Sequence, residues 1–127
     1  MTRTELYVHI PFCVRKCAYC DFLSAPADEG TRARYLAGLF DEFKSWGQRA
    51  KGRNITSVFV GGGTPTSLSA KQLDGLFCAL RDTFDIPKAA EVTVECNPGT
   101  LDGEKLSVLK NAGVNRLSIG LQSADNA

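Results

Sequence analysis

Four short runs rich in β-branched and aromatic residues alternate with three amphipathic segments, and this alternation limits the fold more than any other feature of the sequence. The runs lie at 5–10, 55–60, 91–96 and 116–123, and each has the length and composition of a strand. Between them, apolar residues recur at spacings of three and four, which predicts helices. Because strands that alternate with helices are joined by right-handed crossovers, the sequence predicts an α/β fold with parallel strands in the order β-α-β-α-β-α-β.

The sequence marks the ends of the predicted helices with different clarity. The first helix, over about 31–51, has an apolar face made of Tyr35, Leu36, Leu39, Phe40, Phe43 and Trp46. The second begins at a capping box, the S-x-x-Q pattern of Ser69 and Gln72. The third begins near Asp102 and carries Leu106 and Leu109. Gly113 is placed to end it as the first residue beyond the helix.

An unusual segment lies at the carboxyl end of each predicted strand. These segments are a cysteine-rich loop, a glycine run at 61–63, "ECNPGT" at 95–100 and "GLQS" at 120–123. In parallel sheets, ligands bind at the carboxyl ends of the strands. We therefore expect all four segments to contribute to one binding rim.

Composition excludes several classes of function. The chain has 15 basic and 14 acidic side chains, so it lacks the basic character of nucleic-acid-binding or membrane-surface proteins. No apolar run approaches the ~20 residues of a membrane span, and the first residues do not form a signal peptide. Five cysteines without a secretion signal argue against a disulfide framework. These features predict a cytoplasmic protein whose clustered cysteines serve metal or redox chemistry.

Three of the five cysteines form the pattern C-x3-C-x2-C at Cys13, Cys17 and Cys20. Thiolates are soft ligands that suit zinc, Cu(I) and iron–sulfur clusters. A structural zinc site normally has four ligands, whereas a [4Fe–4S] cluster held by three cysteines leaves one iron free to bind a small molecule. The preferred interpretation is therefore an iron–sulfur cluster. Zinc with His9 as the fourth ligand and three unrelated thiols are the alternatives.

This spacing, with Tyr19 directly before the last cysteine, resembles the radical SAM superfamily. The strings "YVHIPFC", "GGGTPT" and "NRLSIGLQS" further resemble the oxygen-independent coproporphyrinogen III oxidase family, and the resemblance covers nearly all of 6–123. It implies a partial radical SAM (β/α)6-type barrel, of which this chain holds about three and a half βα units. It also implies a [4Fe–4S] cluster on Cys13, Cys17 and Cys20.

The same resemblance implies a site for S-adenosylmethionine. The residues it assigns to that site are Tyr7, Tyr19, Gly62, Gly63, Thr64, Glu95 and Gln122. Each also has a purely structural interpretation. The glycines suit a tight strand–helix turn, Glu95 and Gln122 suit exposed strand ends, and Tyr7 suits a packed strand aromatic.

Three further residues are weighed as structural rather than functional. His9 is interpreted first as a strand histidine with satisfied hydrogen bonds, with a proton relay or a hydrogen-bond donor to the site as alternatives. Cys78 and Cys96 lack the spacing of cluster ligands. We expect both to be small, buried or partly buried side chains.

One position distinguishes two branches of the resembled family. The oxidase branch carries a fourth cysteine two residues after the third, where this chain has Phe22. The resemblance therefore implies the haem-chaperone branch, with coproporphyrinogen decarboxylation as the alternative, and no catalytic residue is assigned. The implied partners are haem or a porphyrinogen and an electron donor of the flavodoxin or ferredoxin type.

The chain stops just after its fourth predicted strand, with no helix to cover that unit. An uncovered parallel edge strand is a poor terminus. We expect residues 1–127 to be the N-terminal part of a radical SAM core domain. We also expect the isolated piece to bind a cluster weakly, if at all, and not to turn over, which a 5′-deoxyadenosine assay would test.

Overall fold

A computed structural model describes residues 3–12 and 29–119 of the chain, which form a four-stranded sheet and three α-helices. The strands are β1 (Arg3–Ile10), β2 (Asn54–Gly62), β3 (Glu91–Cys96) and β4 (Arg116–Ile119). The helices are α1 (Glu29–Arg49), α2 (Ala70–Thr83) and α3 (Gly103–Asn111). Two short 3₁₀ turns, a first at Pro65–Ser67 and a second at Pro98–Thr100, follow β2 and β3.

The strands lie in the order β1-β2-β3-β4, and every neighbouring pair is parallel. The predicted fold class and element order are therefore confirmed. Because each connection runs from the end of one strand to the start of its parallel neighbour, all carboxyl ends lie at one edge of the sheet. That edge carries the glycine run at 61–63 and "ECNPGT" at 95–100, whereas the cysteine loop and "GLQS" lie outside the described residues.

The core lies between the sheet and the helices. Alternate strand residues such as Val8, Val60 and Val94 are buried in one cluster with Leu36 of α1 and Leu76 of α2. Since side chains alternate across a strand, the residues between them point to the opposite face of the sheet. No helix in the described ranges is long and apolar enough to cross a membrane.

Local signals fixed two helix ends as predicted. The Ser69 hydroxyl accepts a hydrogen bond from the Gln72 amide at 3.1 Å, and the Gln72 side chain accepts one from the Ser69 amide at 3.0 Å. At the end of α3, Gly113 adopts φ +90°. Its amide donates to Lys110 and the Val114 amide donates to the Leu109 carbonyl, which is the Schellman arrangement.

The apolar stripes were predicted less well than the helix ends. Trp46 in α1 is 52% exposed and Leu106 in α3 is 43% exposed, although both belong to the predicted apolar faces. Trp46 lies along a groove beside β1, the edge strand of the described sheet. β2 also extends further than predicted, through Gly61 and Gly62, because both remain paired with His9 and Ile10 of β1.

Candidate functional site

Strand register brings several predicted site residues to one face of the sheet. Tyr7 lies opposite Phe59, His9 lies opposite Gly61, and Glu95 lies on the adjoining strand. Partners in a parallel ladder present their side chains on the same side. Tyr7, His9 and Glu95 therefore share the face that the helices leave open, close to the carboxyl ends of the strands.

Two glycines make room for side chains from both neighbouring strands. The Gly62 amide donates a 2.8 Å hydrogen bond to Glu95 Oε1. A Cβ atom at Gly61 would lie only 2.5 Å from that same oxygen, and one at Gly62 would lie 2.7 Å from the His9 ring. Gly62 also has φ +117°, which disfavours any other residue. The glycines thus let Glu95 and His9 converge over β2.

Gly61, Gly62 and Glu95 together form a group that we call the cradle. Tyr7 and His9 form a polar pair beside it. The Tyr7 hydroxyl lies 3.2 Å from His9 Nδ1, and the Tyr7 ring stacks on Phe59 with centroids 6.0 Å apart. The Tyr35 hydroxyl of α1 donates to the His9 carbonyl. His9 is therefore hydrogen-bonded through both its ring and its backbone, as its structural interpretation requires. Tyr7 is 61% exposed, so it is not a packed core aromatic.

The glycine run is bound to the segment that leads into the cysteine loop. The Gly63 amide donates to the Ile10 carbonyl at 2.8 Å, and the Thr64 amide donates to the Phe12 carbonyl at 2.6 Å. Phe12 directly precedes Cys13. Gly63 and Thr64 consequently lie beside Ile10 and Phe12, which are among the last described residues before the cysteine loop.

Five predicted site residues lie outside the described residues: Cys13, Cys17, Tyr19, Cys20 and Gln122. Their assigned roles stay predictions. Within residues 3–12 and 29–119, no group of three or more His, Cys, Asp or Glu side chains is arranged to hold a metal ion.

The two remaining cysteines differ in environment. Cys96 is buried at the end of β3, and its pKa is raised first by burial and second by the nearby charge of Glu95. A raised pKa keeps the thiol protonated and unreactive. Cys78 is exposed on α2, so the expectation that it would be buried or partly buried was wrong. It lies off the apolar stripe of α2, on the solvent side.

Cavity volume alone does not locate this site. A groove of about 660 Å³ runs along β1 and is lined in part by Tyr7, His9 and Trp46. A larger cavity of about 1080 Å³ lies at the start of β2, with Asn54 and Arg81 among its lining residues. That cavity is at the opposite end of the sheet from the glycines. The convergence of polar groups over β2 is the better guide.

Glu95 influences the titration of Tyr7, and this can be tested. The pKa of the Tyr7 phenol is raised above its ordinary value of 10.0, first by the partial burial of this largely exposed side chain and second by the negative charge of Glu95. Glu95→Gln removes that charge, so the pKa of Tyr7 should fall. Ultraviolet titration of tyrosinate, with Tyr7→Phe to assign the signal, measures the change.

The matched control is Glu91→Gln, since Glu91 is an exposed glutamate of the same strand, paired with Arg116. It should leave the Tyr7 titration unaltered.

A raised folded-state pKa stabilises the fold below the unfolded pKa, and that stability is lost as pH rises through the folded pKa. The free energy of unfolding should therefore decline above about pH 10. If Glu95→Gln leaves the pKa of Tyr7 unchanged, the assigned interaction between Glu95 and Tyr7 is contradicted.

Sequence reasoning overlooked one residue of the cradle. Gly61 was treated only as part of a glycine run, yet its missing side chain is what lets Glu95 reach the Gly62 amide. A glycine inside a strand is a signal of close approach by another group. That signal was present in the sequence, but it does not reveal which group approaches.

Comparison with known proteins finds relatives of similar sequence. The chain is 41% identical to the heme chaperone HemW of Escherichia coli, across 94% of this chain and 32% of that protein. It is 42% identical to the heme chaperone HemW of Bacillus subtilis, again across 94% of this chain and 32% of that protein. A mouse protein, the mitochondrial radical S-adenosyl methionine domain-containing protein 1, is 39% identical across 99% of this chain and 28% of its own length.

A solved structure is similar in fold. The structure of coproporphyrinogen III oxidase (HemN) from Escherichia coli, described as a radical SAM enzyme, matches with a TM-score of 0.84 and 35% identity. The match covers 93% of this chain and 27% of that one. The chain thus spans about a third of the length of the relatives it matches. Since the model of the radical SAM superfamily matches residues 7–127, from β1 through every later element, the chain belongs to that superfamily.

Proposed function

We propose that this chain is the cofactor-binding N-terminal part of a radical SAM protein of the haem-chaperone type. In this proposal Cys13, Cys17 and Cys20 hold a [4Fe–4S] cluster, as membership of the superfamily implies. S-adenosylmethionine is held by the predicted set of Tyr7, Tyr19, Gly62, Gly63, Thr64, Glu95 and Gln122.

The observation that carries the proposal is the cradle over β2. One oxygen of Glu95 accepts from the Gly62 amide at 2.8 Å, which fixes the carboxylate beside the glycines. Thr64, two residues after Gly62, donates to the carbonyl of Phe12, which directly precedes the first cysteine in the sequence. A carboxylate acceptor and closely packed backbone, in a chain that also carries a cysteine triplet, suit an amino acid sulfonium bound to a cluster.

The cluster and S-adenosylmethionine, when bound, supply one-electron cleavage chemistry that no side chain can provide. The chain's own residues have simpler tasks. Glu95 offers hydrogen-bond acceptors, the glycines allow backbone to approach the ligand, and Tyr7 and His9 line the edge of the site on β1. Fixing such groups before binding reduces the ordering that a ligand must otherwise impose.

The position two residues after the third cysteine favours a chaperone over an oxidase. Phe22 stands where the oxidase branch carries a further cysteine, and a phenylalanine cannot act as a thiolate ligand. Similarity to proteins named heme chaperone at 41% and 42% identity supports the same choice. The second candidate is coproporphyrinogen oxidation, which the structural similarity to an oxidase favours. Both candidates handle a tetrapyrrole.

The decisive experiment uses the full-length protein, reconstituted with iron and sulfide without oxygen. Iron analysis and absorption spectroscopy separate an iron–sulfur cluster from zinc. Haem titration and coproporphyrinogen turnover then separate the two functions. Stoichiometric haem binding without decarboxylation is the expected result. Decarboxylation without haem binding would replace the chaperone by the oxidase, and a zinc-containing protein without iron would overturn both.

A further inference from the structure

The first 3₁₀ turn leaves two buried carbonyl groups that need partners from elsewhere. Pro65, Thr66 and Ser67 are all buried. The Pro65 carbonyl accepts from the Leu68 amide within the turn. A three-residue turn cannot satisfy the carbonyls of Thr66 and Ser67 in the same way, and an unpaired buried carbonyl destabilises the fold. Their partners are two cations from flanking helices.

Lys105 of α3 supplies the partner for Thr66. Its ammonium group donates to the Thr66 carbonyl at 2.8 Å and to the Thr100 carbonyl at 3.0 Å. One lysine thus joins the turn after β2 to the turn after β3. Lys105 stands three residues after the N-cap Asp102, where a positive charge opposes the helix dipole. Helix stability therefore does not explain a lysine at this position, whereas the two carbonyls do.

Arg32 of α1 supplies the partner for Ser67. Its Nη1 atom donates to the Ser67 carbonyl at 2.9 Å, and its guanidinium lies 5.9 Å from the centre of the Phe12 ring. Arg32 also lies in the first turn of its helix as the structure describes it. Two cations from different helices therefore donate to consecutive carbonyls of the same turn, and charged donors make stronger hydrogen bonds than neutral ones.

The turn transmits this restraint to the cofactor site. The Thr66 hydroxyl lies 2.5 Å from that of Thr100 and accepts from the Asn97 amide at 3.4 Å. Thr64, directly before the turn, donates to the carbonyl of Phe12. Hydrogen bonds therefore connect the glycine run to the segment after β3 and to Phe12.

We infer that Lys105 and Arg32 are positioning residues of the cofactor site, because they fix the first 3₁₀ turn against both the second turn and Phe12. The inference rests on the proposed function, since the ligand whose binding depends on this geometry is S-adenosylmethionine. Neither residue contacts the cradle among the described atoms. Their effect is to hold Gly62 to Thr64 in the binding geometry before the ligand arrives, and loss of such an outer support weakens binding by roughly tenfold.

The test measures the dissociation constant of S-adenosylmethionine by calorimetry on the reconstituted full-length protein. Lys105→Met should raise that constant about tenfold, with unchanged iron content, and Lys105→Arg should restore much of the affinity. The matched control is Lys110→Met, which removes an exposed lysine from the last turn of the same helix. It should bind as tightly as the wild type.

The outcomes separate the inference from the proposed function. Wild-type protein that binds no S-adenosylmethionine overturns the proposed function, and the inference with it. Wild-type binding with an unchanged constant in Lys105→Met, measured well below its melting temperature, overturns the inference alone. If Lys105→Met does not fold, Arg32→Gln gives the second measurement. Weakened binding by that variant supports the inference, and unaltered binding rejects it.

Discussion

Replacing Cys17 by alanine in the full-length protein should abolish the iron–sulfur absorption at roughly 400 nm and, with it, cleavage of S-adenosylmethionine. Cys17 is the middle cysteine of a triplet confined to residues 13–20. A cluster that already leaves one iron without a protein ligand has no spare thiolate to lose. Of the other two thiols, that of Cys96 is buried with a raised pKa, so it is a poor substitute.

Cys78→Ala is the matched control for this substitution. Cys78 is a free and exposed cysteine on α2, so the control removes a thiol without touching the triplet. Iron content, the visible spectrum and S-adenosylmethionine cleavage should all match the wild type. A Cys17→Ala protein that keeps the band, or a Cys78→Ala protein that loses it, would show that the ligand set is wrong.

Sequence reasoning succeeded where the signal is local. The capping box at Ser69 and the glycine at Gly113 each act within a few residues, and both appear as predicted. Parallel topology also followed from the sequence, because alternating strands and helices leave few other arrangements. The exposure of Trp46 could not be predicted in this way. Its spacing matches an apolar stripe, but whether a neighbour covers it depends on the sheet edge beside α1.

The candidate site shows where such reasoning ends. The sequence pattern predicted that Gly62 and Glu95 lie at the same edge of the sheet. It could not predict the hydrogen bond between them, which joins residues 33 positions apart. Lys105 is a stronger case. It donates to backbone carbonyls, one of them 39 positions away, and backbone acceptors leave no mark in the sequence. Contacts of this kind become visible only when the packing of the two 3₁₀ turns is known.

The cradle glycines should respond to substitution in two different ways. Gly62→Ala forces a side chain into φ +117° and places its Cβ 2.8 Å from the Ile10 carbonyl, a backbone atom that cannot easily move. We expect the substitution to lower the free energy of unfolding by about 1–3 kcal/mol. Urea unfolding of the apoprotein measures this loss. An unchanged midpoint would show that the backbone of β1 shifts to accommodate the new side chain.

Gly61→Ala should instead chiefly weaken ligand binding. Its Cβ would lie 2.5 Å from Glu95 Oε1 and 2.7 Å from Phe59 Cε1. Both atoms belong to side chains rather than backbone, so Glu95 should swing off the Gly62 amide at modest cost in stability. Affinity for S-adenosylmethionine should fall about as far as in Glu95→Gln, and the double variant should be no weaker than either, because both changes remove one interaction. Gly38→Ala is the control, since among the described residues no atom outside its own stretch of helix lies within 4 Å of the added Cβ. As a helical glycine replaced by alanine, it should gain roughly 0.5–1 kcal/mol of stability. Additive losses in the double variant would mean that Gly61 and Glu95 contribute to binding independently.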